Sequence, residues 1–206
     1  MAFVSFTYGI GLFGSTYLLP IFLQAALSYS PSASGLVLLP AGLALAATML
    51  PAGQLAGFVA PSWLVSIGVL LLSLSLAFMS SISSLTPYAI LVLGVVVGRI
   101  GLGLALPSLS LGSLRAIAPG DVPQATSVIN FTRQLGGAIG VSLVGVLLEW
   151  RLRVYGITGL DPRSVAAEGR PAFQEVFIVL ALVCVSAAAV ALFMAPSSRS
   201  GSNEGA

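Results

Sequence analysis

The chain has 206 residues, 57% of them hydrophobic and 7% charged, with 8 Lys and Arg against 6 Asp and Glu. A soluble domain is about 45–50% apolar and about 25% charged; so few ionisable groups cannot cover a soluble globule, and the composition is that of an integral membrane protein. A net charge of +2 without a basic, aromatic-interleaved cluster argues against nucleic acid as a partner, and a chain with no His and one Cys excludes a His/Cys metal site and an internal disulfide.

About 20 apolar residues cross the hydrocarbon core. Six stretches reach that length: 3–27, 34–57, 63–82, 88–114, 124–150 and 173–195. The turn signals "SYSPSAS", "VAPS", "SSLTP", "APGDVP" and the polar stretch from Arg151 to Pro171 separate them. The pattern predicts an all-α membrane protein, six transmembrane helices in one bundle over residues 1–195, with a disordered polar tail over 196–206.

The first stretch has no basic segment before it and no clear small-residue cleavage site, so it does not read as a secretory leader. It opens abruptly, as if inside a longer protein. Its "GIGLFG", Gly9 to Gly14, matches a dinucleotide fingerprint in letters only, because no strand precedes it. Pro20, Pro40, Pro51 and Pro107 fall inside helices, as membrane helices tolerate where neighbours satisfy the freed carbonyls. In the fourth stretch Arg99 lies eleven residues past Tyr88, roughly 16 Å into the membrane. In the fifth, Arg133 lies nine residues past Gln124 at a similar depth.

A guanidinium at the helix centre costs about 2.5–3.5 kcal/mol on insertion scales. The apolar residues of each helix can carry that cost, but both arginines should face a bundle interior or a water-filled cavity. Asp121, Glu149, Glu168 and Glu175 sit at helix ends or in loops, and Asp161 and Glu204 lie outside. No carboxylate at midplane depth therefore answers either arginine. Asn130, Arg133 and Gly137 share a helix face that Gln134 borders. The stripe reads as a cavity wall or as an interhelical hydrogen-bond network. Gly94 with Gly98, and Gly136 with Gly140, have the small-residue spacing that lets helices approach. Glu149 and Arg153 stand at i, i+4 in a favourable order. "NFT" at Asn130 is a glycosylation sequon at membrane depth, Cys184 reads as a small buried or lipid-facing residue, and no base stands ready to activate a serine nucleophile. No catalytic constellation is present, and the chain does not read as an enzyme.

The run "GLGLALPSLSLGSLRAIAPGDVPQATSVINFTRQLGGAIGVSLVGVLLE" resembles the late helices of the fourteen-helix drug/proton antiporters of the major facilitator superfamily. Gly101, Gly103 and Pro107 take the places of its glycine pair and proline, and Asn130 to Gly140 match its N-x-x-R-Q-L-G-G-x-x-G run. Pro20, Gln24, Pro31, Gly35 and Pro40 fit the pattern of its earlier helices, and "AFQEVFIVLAL" that of its final helix. The resemblance implies the C-terminal six-helix bundle of a multi-pass protein of the bacterial inner or plasma membrane. By the same resemblance the chain is half of a transporter that exports hydrophobic, often cationic compounds by alternating access. No cofactor is implied, and the proton gradient supplies the energy.

The implied partners are the lipid bilayer, a small hydrophobic substrate and a missing N-terminal six-helix bundle or another membrane subunit. Gln24, Asn130, Arg133, Gln134 and Arg99 become cavity candidates, and Gly101, Gly103, Pro107, Gly136, Gly137 and Gly140 packing or kink positions. The first, second, fourth and fifth helices would line the cavity. The loop after the second helix departs from the family. Where relatives carry G-x-L-A-D-R-x-G-x-R, this chain has "GQLAGFVAPS", with Gly57 for the acid and Phe58 and Ser62 for basic residues. That loss favours the alternative of a non-transporting truncated remnant, or of an accessory subunit on a complete transporter. The arginine count places the 151–171 loop in the cytoplasm, whereas the family places it outside; orientation is expected to follow the family, set by earlier helices.

Overall fold

The computed structural model describes residues 2–83, 85–114, 117–157 and 164–193. The described residues form helices α1 (Ala2–Ile21), α2 (Pro31–Phe58), α3 (Pro61–Ser80), α4 (Tyr88–Leu114), α5 (Val122–Val154) and α6 (Arg170–Phe193). With their flanking turns, all six are long and apolar enough to cross a membrane. A π-helical turn, Phe22–Ala26, extends α1, a short 3₁₀ turn, Pro119–Asp121, leads into α5, and a second π turn, Val165–Gly169, leads into α6.

Several ends differ from the sequence reading for local reasons. Helix α2 begins at Pro31 rather than near 34, because Ser30 caps it: its Oγ accepts from the Ala33 N–H at 3.2 Å, and Pro31 stands in the first turn, where a missing N–H costs nothing. Helix α5 runs four residues past 150. It ends where Gly156, at φ +76°, lets the Ile157 N–H reach the Leu152 carbonyl at 2.9 Å, a Schellman-type closure with both side chains buried. Helical structure resumes before Arg170, so much of the polar 151–171 stretch is helix rather than loop. Charged residues there do not break the backbone pattern, because interfacial helix ends carry charge readily. The tail over 196–206, read as disordered, lies outside the described residues.

The packing is ordered by pairs. Helix α3 rests on α4 and α6, α2 on α4, and α1 on α5 and α6. Exchanging α1 with α4, α2 with α5 and α3 with α6 reproduces this pattern. The sequence carries a trace of the same exchange: Gly11, Gly14 and Pro20 have the spacing of Gly98, Gly101 and Pro107. Internal repeats of this kind are a transporter feature.

Small residues set the crossings. Gly68 and Gly101 lie against each other's backbone, leaving no room for a Cβ on either, and Gly136 meets the Phe6 carbonyl in the same way. At the α1–α6 contact the Cys184 Sγ lies 2.8 Å from where a Cβ on Gly11 would sit, and the thiol is buried. Between these contacts Phe22 packs edge-on against Phe177 at 5.2 Å. Ser73 and Ser75 of α3 donate to the Ala181 and Gly94 carbonyls at 3.0 and 2.7 Å, so their hydroxyls find protein acceptors. Helix α2 is different. Only 17% of its most apolar window is buried, against 61% for α3, and Leu36, Leu39, Leu43 and Leu50 point outward.

Candidate functional site

The site is built on α1, α4 and α5. Pro20 gives α1 no N–H for the carbonyl four residues back, which is that of Thr16. Arg99 of α4 reaches this point: its Nη1 donates to Thr16 Oγ1 at 3.0 Å, while Thr16 donates to the Leu12 carbonyl at 2.7 Å. Pro107 likewise gives no N–H to the Gly103 carbonyl. Beside that point the buried Tyr8 of α1 donates to the Leu102 carbonyl at 3.1 Å. The two proline-containing helices therefore bond to each other reciprocally, each near the carbonyl that its partner's proline leaves free.

Arg133 stands half-buried on α5 and donates through Nη2 to Asn130 Oδ1 at 2.9 Å. That bond is made one turn back on the same helix, not between helices. The backbone of Arg133 is also where α1 comes closest, since a Cβ on Gly9 would collide with its carbonyl. Arg99 bonds to Thr16 of α1 and the Arg133 backbone lies against Gly9 of α1, so both arginines stand beside that helix. Among the described residues neither meets a carboxylate. The ion pairs among the described residues are Arg151 with Glu175 and Arg153 with Glu149, near the C-terminal end of α5.

The remaining candidates fall around this region. Gln134 is exposed beside Arg133. Gly137 shares the Asn130–Arg133 face, but the Phe13 ring covers it, so the stripe is filled at that level. Gly136 and Gly140 lie under Phe6 and Ile10 at the α1–α5 crossing, Gly101 under α3, and Gly103 against Leu45 and Thr48 of α2. Gln24 is the one exposed residue of its π turn, between buried Phe22, Leu23, Ala25 and Ala26. It stands eight residues beyond Thr16, about 12 Å along the helix, apart from the arginines. Beyond Phe13 the same side of α5 forms a second feature, a groove of about 620 Å³ against α1 lined by Tyr17, Ser142, Gly145 and Glu149 among others. The sequence reading did not single out Tyr8, Thr16 or this groove. Thr16 carried a faint signal, four residues before a helix-internal proline.

Apolar membrane-length helices with internal prolines, close glycine crossings and guanidiniums well inside two of them define a multi-pass membrane protein of the transporter type. The chain belongs to the major facilitator superfamily, whose family description matches residues 1–206. It is 32% identical over 168 residues to the Multidrug resistance protein B homolog of Mycobacterium tuberculosis, across 78% of this chain and 31% of that protein. It is 30% identical over 146 residues to the Methylenomycin A resistance protein of Streptomyces coelicolor, across 71% of this chain and 31% of that one. The Lincomycin resistance protein LmrB of Listeria monocytogenes matches at 27% over 189 residues, 90% of this chain and 39% of its own length. The chain spans about a third of the length of these relatives.

Proposed function

We propose that this chain is the C-terminal half of a proton-coupled efflux transporter that exports hydrophobic, often cationic compounds by alternating access. The observation that carries the reading is the state of Arg99 and Arg133. Both sit at membrane depth with only neutral hydrogen-bond partners, Thr16 and Asn130, where an unanswered charge is costly. We assign the answering carboxylate to a partner bundle packed on the α1, α2, α4 and α5 side. The outward apolar face of α2 and the relatives' greater length support this assignment. Coupling follows from that arrangement: protonation of the partner's acid releases the arginine and frees the two bundles to rock.

A second reading rests on the turn between α2 and α3. Phe58 is 92% exposed there, Gly57 has open space around it, and Ser62 is buried. Without charges this turn makes no electrostatic gate, which favours a non-transporting remnant or an accessory subunit.

Two measurements separate the readings. The in-frame DNA upstream of the Met1 codon is expected to encode further apolar helices under the first reading and a stop codon under the second. Ethidium efflux from cells expressing the complete frame is expected to stop when nigericin collapses the pH gradient. Efflux that is absent, or indifferent to the gradient, removes proton-coupled export.

A further inference from the structure

We propose that the groove between the end of α5 and the start of α6 holds one phospholipid with a primary-ammonium headgroup, phosphatidylethanolamine, its phosphate on Arg151 and its ammonium on Glu175. The inference goes beyond the proposed export and needs only that the chain spans a bilayer.

The place comes first. Helices α5 and α6 both lean on α1 and touch each other little, so a trough is left between them. It consists of two adjoining cavities of about 330 and 100 Å³, which share Leu147, Val176 and Val179. The trough lies away from the side assigned to the partner bundle. Leu147 and Trp150 stand roughly 140–160° around α5 from the cavity candidate Gln134, at about 100° per residue. Helix α6 is not among the helices of that side, and its Ile178, Val179 and Leu182 are exposed. Lipid is the solvent of such a face.

Depth sets the shape of the occupant. Trp150 and Arg151 stand three to four residues from the end of α5 at Val154, and Glu175 five residues past the start of α6 at Arg170. All three are therefore about 5–8 Å from a helix end, near headgroup level. From there an apolar line runs from Val176 to Val183 and from Leu147 to Gly140. Each side is about 10 Å long, most of the roughly 15 Å depth of one leaflet. That is the outline of an acyl chain below its headgroup.

Charge then selects the headgroup. Arg151 Nε forms an ion pair with Glu175, and the guanidinium carbon stands 5.2 Å from the Trp150 ring and 5.6 Å from the Tyr155 ring. A guanidinium carries five N–H donors, so the terminal nitrogens of Arg151 remain for an acceptor. Glu175 also accepts from the Tyr155 hydroxyl at 2.8 Å, and a carboxylate has about four lone-pair sites, which leaves room for an ammonium. The Arg151 and Glu175 side chains are 23% and 36% exposed and both line the groove, so a headgroup can reach them. In phosphatidylethanolamine an ethylene link sets phosphate beside ammonium. Laid on the Arg151–Glu175 pair with opposite signs, it closes a ring of four alternating charges. Other headgroups fit worse. The ammonium of phosphatidylcholine has no N–H for Glu175, and the Trp150 and Tyr155 rings that could attract it already hold the Arg151 cation. An anionic headgroup meets no excess of positive charge, since the sequence from Glu149 to Glu175 carries as many acids as arginines.

The test uses the purified full chain in detergent micelles, titrated with equal amounts of phosphatidylethanolamine, phosphatidylcholine and phosphatidylglycerol. Bound lipid is read by native mass spectrometry. One phosphatidylethanolamine per chain is expected, held about tenfold more tightly than phosphatidylcholine, the worth of one charge-assisted contact. Glu175→Gln is expected to erase that preference and turn it towards phosphatidylglycerol, because Arg151 is left without its anion. Val179→Trp fills the groove and leaves both charges in place, and is expected to weaken phosphatidylethanolamine retention by a similar factor. Helical ellipticity equal to the parent's shows that a variant is folded. The parent's selectivity and Val179→Trp decide the question even where Glu175→Gln fails to fold. Equal retention of phosphatidylethanolamine and phosphatidylcholine by the parent, a parent preference for phosphatidylglycerol, or undiminished retention by folded Val179→Trp overturns the proposal.

Discussion

Tyr8 shows how much one hydroxyl can organise. Its ring is buried, and its single donor crosses from α1 to the Leu102 carbonyl of α4 at 3.1 Å. Tyr8→Phe keeps the ring and removes only that bond, so it is expected to destabilise the bundle by about 0.5–1.5 kcal/mol. Gly136→Ala acts on backbone instead, because its new Cβ would meet the Phe6 carbonyl. It is expected to cost about 1–3 kcal/mol, the range for overpacking. Gly42, with nothing within 4 Å, is the control: Gly42→Ala is expected to be neutral or mildly stabilising. Loss of helical ellipticity on titration with a denaturing detergent ranks all three. At this scale the sequence was half legible. That Arg99 and Arg133 stand well inside their helices followed from counting residues. The Thr16 hydroxyl and the Asn130 amide as their partners did not, because rotamers and neighbouring helices decide which of several polar groups a guanidinium reaches.

Among the elements, α1 and α4 set the geometry of the site. Each contains a proline, and each sends a polar side chain to the other near the carbonyl that proline leaves free. Pro20→Ala restores an N–H to the Thr16 carbonyl and removes the local weakness of the α1 backbone that a proline introduces. It is expected to raise the thermal midpoint of the purified chain and to lower transport by the complete protein, as when a weak point serves motion rather than stability. A variant that gains stability and keeps full transport would show that the proline serves packing only. The spans themselves were legible, because length and apolarity mark a membrane helix without reference to its neighbours. The end of α5 was not. Arg151 and Arg153 read as loop, yet their helix continues to Val154 and closes at Gly156, since backbone hydrogen bonding and not polarity decides where it stops. The π turn that presents Gln24 left no pattern in the side chains either.

For the molecule as a whole, the helices are unevenly buried, and that bears on where the proposed partner bundle would pack. Leu43 on α2 is 64% exposed and Leu70 on α3 is 42% exposed. Both look outward, but only the α2 face lies on the side assigned to the partner bundle. A cysteine at Leu43 is expected to lose at least half its reaction rate with a lipid-soluble maleimide when the partner half is present, and one at Leu70 to be unchanged. Equal protection of both, or of neither, would remove the docking face from α2. The pairwise exchange of α1–α3 with α4–α6 was hidden from a linear reading of the sequence. It emerges when contacts are laid beside the spacing of Gly11, Gly14 and Pro20 against Gly98, Gly101 and Pro107.

The contact between Cys184 and Gly11 carries a consequence of another kind. The chain's single thiol packs against Gly11 of α1, a residue with no side chain to fill a gap if the two elements separate. A swing of α1 away from α6 is expected to loosen the cover over the sulfur. The molecule thus holds its own chemical indicator of motion, silent while α1 is seated and readable by an alkylating agent once it lifts.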